Sequence, residues 1–217
     1  ESDLKAAALS GALAITTGSV GVGVSSSVIV SSGTTQSLFD GAAAVTAAGA
    51  FSDRALASQD ISVYGISAAG GDSVGIAGVA TVITSANDVE ALIGAGARID
   101  VENDPAHDNL TLAAANDLTT FSLAGGLGVS GSVGIGASAS VIVVNDKTVA
   151  AVGDGTRPSH AVLNAGGGVD ITASATETAT TIVAAGAASG SVAVGVGAAV
   201  YVLGTTTEAL VGAYTSI

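Results

Sequence analysis

Four stretches, GSVGVGVSSSVIV (18–30), DSVGIAGVATVIT (72–84), GSVGIGASASVIV (131–143) and GSVAVGVGAAVYV (190–202), are versions of one pattern. Their first valines, Val20, Val74, Val133 and Val192, are 54 (74 − 20), 59 (133 − 74) and 59 (192 − 133) residues apart, and each is followed eight positions later by Val28, Val82, Val141 or Val200. In the first copy Val20, Val22, Val24, Val28 and Val30 share one parity, and Gly21, Gly23, Ser25, Ser27 and Ile29 share the other. A period of two is the signature of a β-strand, and the glycine content argues against helix. From its first valine onward no copy carries a charge. Both faces of such a strand are therefore expected to be shielded, or one packed and the other shallowly covered, with Gly, Ala and Ser allowing a second sheet to approach closely.

Working outward, each copy is followed by a polar turn and a second shared strip: SLFDG (37–41), EALIG (90–94), AAVG (150–153) and EALVG (208–212). Upstream of the later copies DNLTLAAANDLTTFSLAGG (108–126) aligns with GVDITASATETATTIVAAG (168–186). The shorter QDISVYGISAAGG (59–71) aligns with the end of that pattern. The five-residue deficit of the first interval is then expected in the loop region before Asp60. A unit of 54–59 residues recurring along the whole chain points to a repeat architecture. It predicts one segment, 1–217, of about four repeats, and the start at Glu1-Ser2-Asp3, with no basic leader, suggests a fragment of a larger protein.

Composition narrows the class. Hydrophobic residues make up 48% of the 217, yet there are 31 Gly, no Trp, Met or Cys, and only 3% aromatics, so a slender interior is expected. Mean hydropathy of +0.66 opposes disorder. The net charge of −13 repels nucleic acid and anionic lipid. Without Cys there are no disulfides or thiolate metal sites, and His107 and His160 alone cannot make a four-ligand zinc centre. The charge-free run Ala6–Phe39 is long enough to span a membrane as a helix, but its Gly, Ser and Thr content and alternating valines read as strand.

Two architectures bury such strands by repetition. In a parallel β-solenoid homologous positions stack about 4.8 Å apart and loop charges project at the corners. A transmembrane barrel needs aromatic girdles, which Phe39, Phe51, Tyr64, Phe121, Tyr201 and Tyr214 do not form. The expectation is the all-β parallel solenoid, with no stable membrane insertion. Weak similarity among strands within one repeat favours a few wide turns over many small ones.

The Gly/Ala/Val strip SVGVGVxxxVxV, the EALVG element and the acid-flanked strand GVDITASA together resemble the repeat region of giant filamentous-haemagglutinin-like bacterial adhesins, including the leukotoxin-like filamentous adhesins. The resemblance covers essentially the whole chain. It implies a right-handed parallel β-helix, export through an outer-membrane secretion pore by two-partner secretion, an extracellular or cell-surface location, and a shaft role in attachment or biofilm. Receptor binding then belongs to other regions of the protein. It carries over no functional residue.

Each cluster that suggests a site also has a plainer reading. Asp100, Glu102, Asp104 and Asp108 in RIDVENDPAHDN (98–109) are close enough in sequence to suggest calcium, but match no EF-hand or calcium β-roll spacing; with Pro105 they read better as a protruding solvated loop. GDGTRPSH (153–160) lacks the order of a phosphate-binding loop and reads as a turn. Carboxylate pairs for a polysaccharide-active β-helix enzyme, the main rival class, would come from Asp100 to Asp108 or from Asp170 with Glu177, against only three arginines, Arg54, Arg98 and Arg157. Asn109-Leu110-Thr111 is a lone glycosylation sequon, and Tyr64, Phe121 and Tyr201 read as core or end-stacking residues. No residue is assigned a catalytic, cofactor or metal role. End-to-end self-association through unpaired strands is the remaining expectation about partners.

Overall fold

The computed structural model describes residues 1–41, 43–101, 109–153, 160–213 and 215–217, and every regular element among them is a strand. Numbered in chain order, the strands form three sheets whose pairings are all parallel. The first long sheet holds β1 (Ser2–Ile15), β4 (Phe51–Gly71), β7 (Leu110–Ser130) and β11 (Val169–Ser189). The second holds β2 (Val20–Phe39), β5 (Val74–Ile93), β8 (Val133–Val144) with its continuation β9 (Lys147–Val152), and β12 (Val192–Leu203) with β13 (Thr206–Val211). A short sheet holds β3 (Ala44–Ala47), β6 (Arg98–Val101), β10 (Ala161–Asn164) and β14 (Thr215–Ser216). The chain visits long, long and short sheet in rotation.

Register follows the spacing of the valines. Val20 pairs with Val74, Val74 with Val133, and Val133 with Val192. The shorter first interval lies where the sequence places it: three residues (51 − 47 − 1) separate β3 from β4, whereas eight (110 − 101 − 1) separate β6 from β7. One turn later the extra residues have moved to the other side of the short strand. Arg98 pairs with Val162, an offset of 64 (162 − 98), before β7 and β11 return to 59 (169 − 110).

Two alignments change. Gly71 lies opposite Ser130, so QDISVYGISAAGG pairs with 118–130, and FSDRALAS (51–58) extends β4 upstream instead of forming a loop. Leu110 meets Val169, one residue from the pairing implied by aligning 108 with 168. Small-residue runs resemble one another at several shifts, and backbone pairing selects the one that the corners permit.

The inside of the wedge decides which parity is buried. Gly21, Gly23, Ser25 and Ser27 face inward, while Val20, Val22, Val24, Val28 and Val30 face out and are exposed. The two long sheets converge at the corner joining them, where backbone meets backbone. A Cβ on Gly23 would sit 2.7 Å from the Ala68 carbonyl oxygen, one on Gly134 would sit 2.7 Å from that of Ala188, and one on Gly136 would run into that of Gly186. Farther from the corner the gap opens and the inward side chains grow. A hydroxyl layer comes first, with Ser122 Oγ 2.8 Å from Thr81 Oγ1 and 2.7 Å from Ser140 Oγ. Ile61, Val63, Ile83, Leu118, Ile142 and Val144 follow, and at the wide end Val89, Ile93, Ile99, Leu110, Leu112 and Leu163 pack against the short sheet. Gly41, Gly96 and Gly153, with φ of 67°, 84° and 71°, turn the chain from the second long sheet into the short one, a conformation that costs glycine little.

Charges do not keep to the corners as expected. Asp60, Asp88, Glu90, Asp117, Lys147 and Glu208 lie within strands, and Asp53 and Asp146 are buried. Large apolar side chains are exposed too: Val20, Val22, Val24, Val28 and Val30 of the edge strand β2, and Leu9, Leu13, Ile66 and Leu127 of the first long sheet.

Candidate functional site

The densest chemistry is internal. Between the two apolar cores runs a polar layer in which Gly33, Asn87 and Asp146 follow one column, Asp146 lying in the break between β8 and β9. Asp146, 2% exposed, accepts hydrogen bonds from Ser85 Oγ, the Asn87 backbone N–H and Asn116 Nδ2, each at 3.0 Å. Gln59 Oε1 accepts from Asn87 Nδ2 at 3.0 Å and Ser31 Oγ at 3.4 Å. A carboxylate ringed by neutral donors is satisfied as an anion; those same donors turn positive charge toward any cation. Glu177 continues the Leu118 column, and burial first, then the Asp146 charge, raises its carboxyl above the ordinary range. Tyr201, in the column of Ile83 and Ile142, is likewise raised by burial and then by Glu177 and Asp146. Asn116 Oδ1 and Glu177 Oε1 are buried without a hydrogen-bond partner. Among the described residues no group of three or more His, Asp or Glu is placed to hold a metal.

The outer face of the second long sheet carries a cross-strand ion cluster at its wide end. Lys147 Nζ lies 2.7 Å from Glu90 Oε1, and Gln36 Nε2 donates to Glu90 Oε2 at 3.0 Å, so adjacent strands are tied by side chains as well as amides. The Glu90 hydrogen bond is the main reason the Lys147 pKa rises, with Asp88 and Glu208 adding to it. The short sheet has its own pair, Arg98 with Asp100, at 2.7 and 2.9 Å.

The positions singled out from sequence do not converge. Asp100 belongs to β6 instead of a loop and is engaged by Arg98, while Glu102, Asp104, Pro105, His107 and Asp108 lie outside the described residues. Of GDGTRPSH only Gly153 and His160 are described, so the turn reading and Arg157 lie outside them too, as does Tyr214. Asp170 points outward from β11 and Glu177 inward, because an odd separation of seven (177 − 170) puts two residues on opposite faces of a strand. They cannot flank one glycosidic bond. Asn109 accepts a hydrogen bond from the Gly168 N–H at 2.8 Å, so its side chain is engaged in strand pairing. Tyr64 and Phe121 are neighbours with rings tilted 39° and centroids 5.5 Å apart, on the outer face of the first long sheet, not in the core; Tyr201 is on an inward position.

Sequence reading missed the Asp146 layer. Its signal was present: Asn87 and Asp146, 59 residues apart (146 − 87), both take the inward parity, an amide and a carboxylate where the other inward side chains are apolar or hydroxyl. No family model, curated protein or solved structure matches the chain.

Proposed function

We propose that this chain is a structural segment of a right-handed parallel β-solenoid, one repeat per wide turn, serving as a stiff shaft in a large secreted bacterial surface adhesin. The observation that carries the reading is like-over-like stacking. The columns Val20–Val74–Val133–Val192 and Val28–Val82–Val141–Val200 run through β2, β5, β8 and β12 without a gap. Each turn covers the edge of the next with about twenty paired positions in each long sheet and a few more in the short one, which resists bending and sliding. The resemblance to filamentous-haemagglutinin-like adhesins supports handedness, export through an outer-membrane pore and a cell-surface location.

Strands of 20 and 21 residues make each turn broad, on the order of 65–70 Å at about 3.3 Å per residue, while a turn adds only about 4.8 Å of length. Such a shaft gives stiffness at the expense of reach. The test is a chimera that displays a ligand-binding domain at the end of tandem copies of this segment on a cell. Removing whole turns should leave attachment to a bare surface intact and reduce attachment across a polymer brush. Loss of attachment to the bare surface on removing turns from the parent protein would assign binding to the segment itself and defeat the spacer reading.

A further inference from the structure

The outer face of the second long sheet is a flat apolar field toward the acute corner, and we propose that it is the docking surface for a second copy of this chain, packed side by side with its own equivalent face. The inference does not depend on the shaft reading; it needs only the face. In β5 and β8, each covered on both edges, Ile76 and Ile135 form one ridge and Val82 and Val141 another, all half-exposed. Between the ridges lies a trough of Gly78, Ala80, Ala137 and Ala139, with Ser26 and Ala198 in the same column as Ala80. No charge falls within residues 20–30, 74–84, 133–143 or 192–202, the four strand segments that make up the field.

Three features select a second copy as occupant. The ridges and trough repeat at the strand spacing, so the surface that matches them is one with the same repeat, and a two-fold axis set between trough and ridge puts Val82 and Val141 of each copy into the trough of the other. The charges of this sheet, Asp88, Glu90, Lys147 and Glu208, sit at its wide end, so the contact keeps them in water. The field spans ten residue steps by four strands, on the order of 600 Å² per copy and about 1,200 Å² for the pair, which reaches the lower bound for a stable interface. Lipid is disfavoured by the net charge of −13 and the absence of Trp.

Sedimentation of the 217-residue chain between micromolar and 100 μM tests this. The expected result is a discrete dimer. Val82→Lys with Val141→Lys, both outward and on the ridge that enters the partner's trough, should weaken it at least about a hundredfold, since unpaired ammonium groups would be buried in an apolar contact, with far-UV circular dichroism unchanged. Leu127→Lys, on the outer face of the other long sheet, should leave it intact. As a second readout, Val141→Cys introduces the only cysteine and should be captured as a dimer by a short bismaleimide. A monomer throughout, association that survives the paired lysines, loss with Leu127→Lys, or flotation with phosphatidylcholine vesicles in place of dimerisation would each overturn the proposal.

Discussion

Gly136 and Gly78 show why identical residues mean different things here. Gly136 faces inward, where a methyl would strike the Gly186 carbonyl; Gly78 faces out, with nothing nearer to an added methyl than Val24 at 3.8 Å. Gly136→Ala should lower stability by about 2 kcal/mol or more, whereas Gly78→Ala should be neutral or stabilising by about 0.5–1 kcal/mol, read from urea midpoints. Asp146→Ala removes the acceptor for three buried donors and should cost about 3 kcal/mol. Glu177 works in the opposite sense. Because its carboxyl titrates above the unfolded value of about 4.3, the folded state holds the proton more tightly, so its contribution falls as pH rises from there through the raised value and then stays unfavourable. Glu177→Gln should therefore raise the melting temperature at pH 7 and change it little at pH 4; an equal change at both would refute the burial argument.

At the scale of the element, a strand here is specified by what it meets on each side. Ile83 is fully buried between Ile29 and Ile142 in one column, and Ile83→Ala should cost about 2–5 kcal/mol, as buried large-to-small changes do. The Lys147–Glu90 pair also links neighbouring strands, but Lys147 is largely exposed, so Lys147→Ala should cost no more than about 1 kcal/mol, and less at high salt. Its raised pKa makes what it does contribute complete below the ordinary lysine value and lost as pH climbs through the folded one. A comparison of the two variants by chemical denaturation separates columns that hold the sheet together from pairs that decorate it.

At the scale of the whole molecule, the sequence offset between parallel neighbours is set by the lengths of the segments that join the three sheets. Deleting residues 133–191, which is 59 residues (191 − 133 + 1), joins Ser132 to Val192 and keeps every column in place. The shortened chain should fold with the same far-UV spectrum per residue and a urea m-value lower by roughly a quarter, as 59 of 217 residues are lost. Deleting 133–190 instead slips the following strand by one residue and presents its valines to the interior, and that variant should lose the cooperative transition. The same scale explains the trade between the loops flanking the short strand. Five extra residues after β6 are offset by five before β10, so the long sheets stay in step although the corners do not.

Much of this was legible in the residues themselves. Alternation and the 54 and 59 spacings determined strands, parallel neighbours and the valine columns, because pairing follows periodicity that any reader of the chain can count. What the tertiary structure decided was direction. Both parities of the strip are apolar or small, so alternation alone does not say whether valine or glycine points inward; the convergence of two long sheets at an acute corner does, since carbonyls on facing strands leave no room for a Cβ. The same convergence turns a hydrophobic strip into an outer face and admits Asp146 to the interior, where donors from two strands, β5 and β7, gather around one carboxylate.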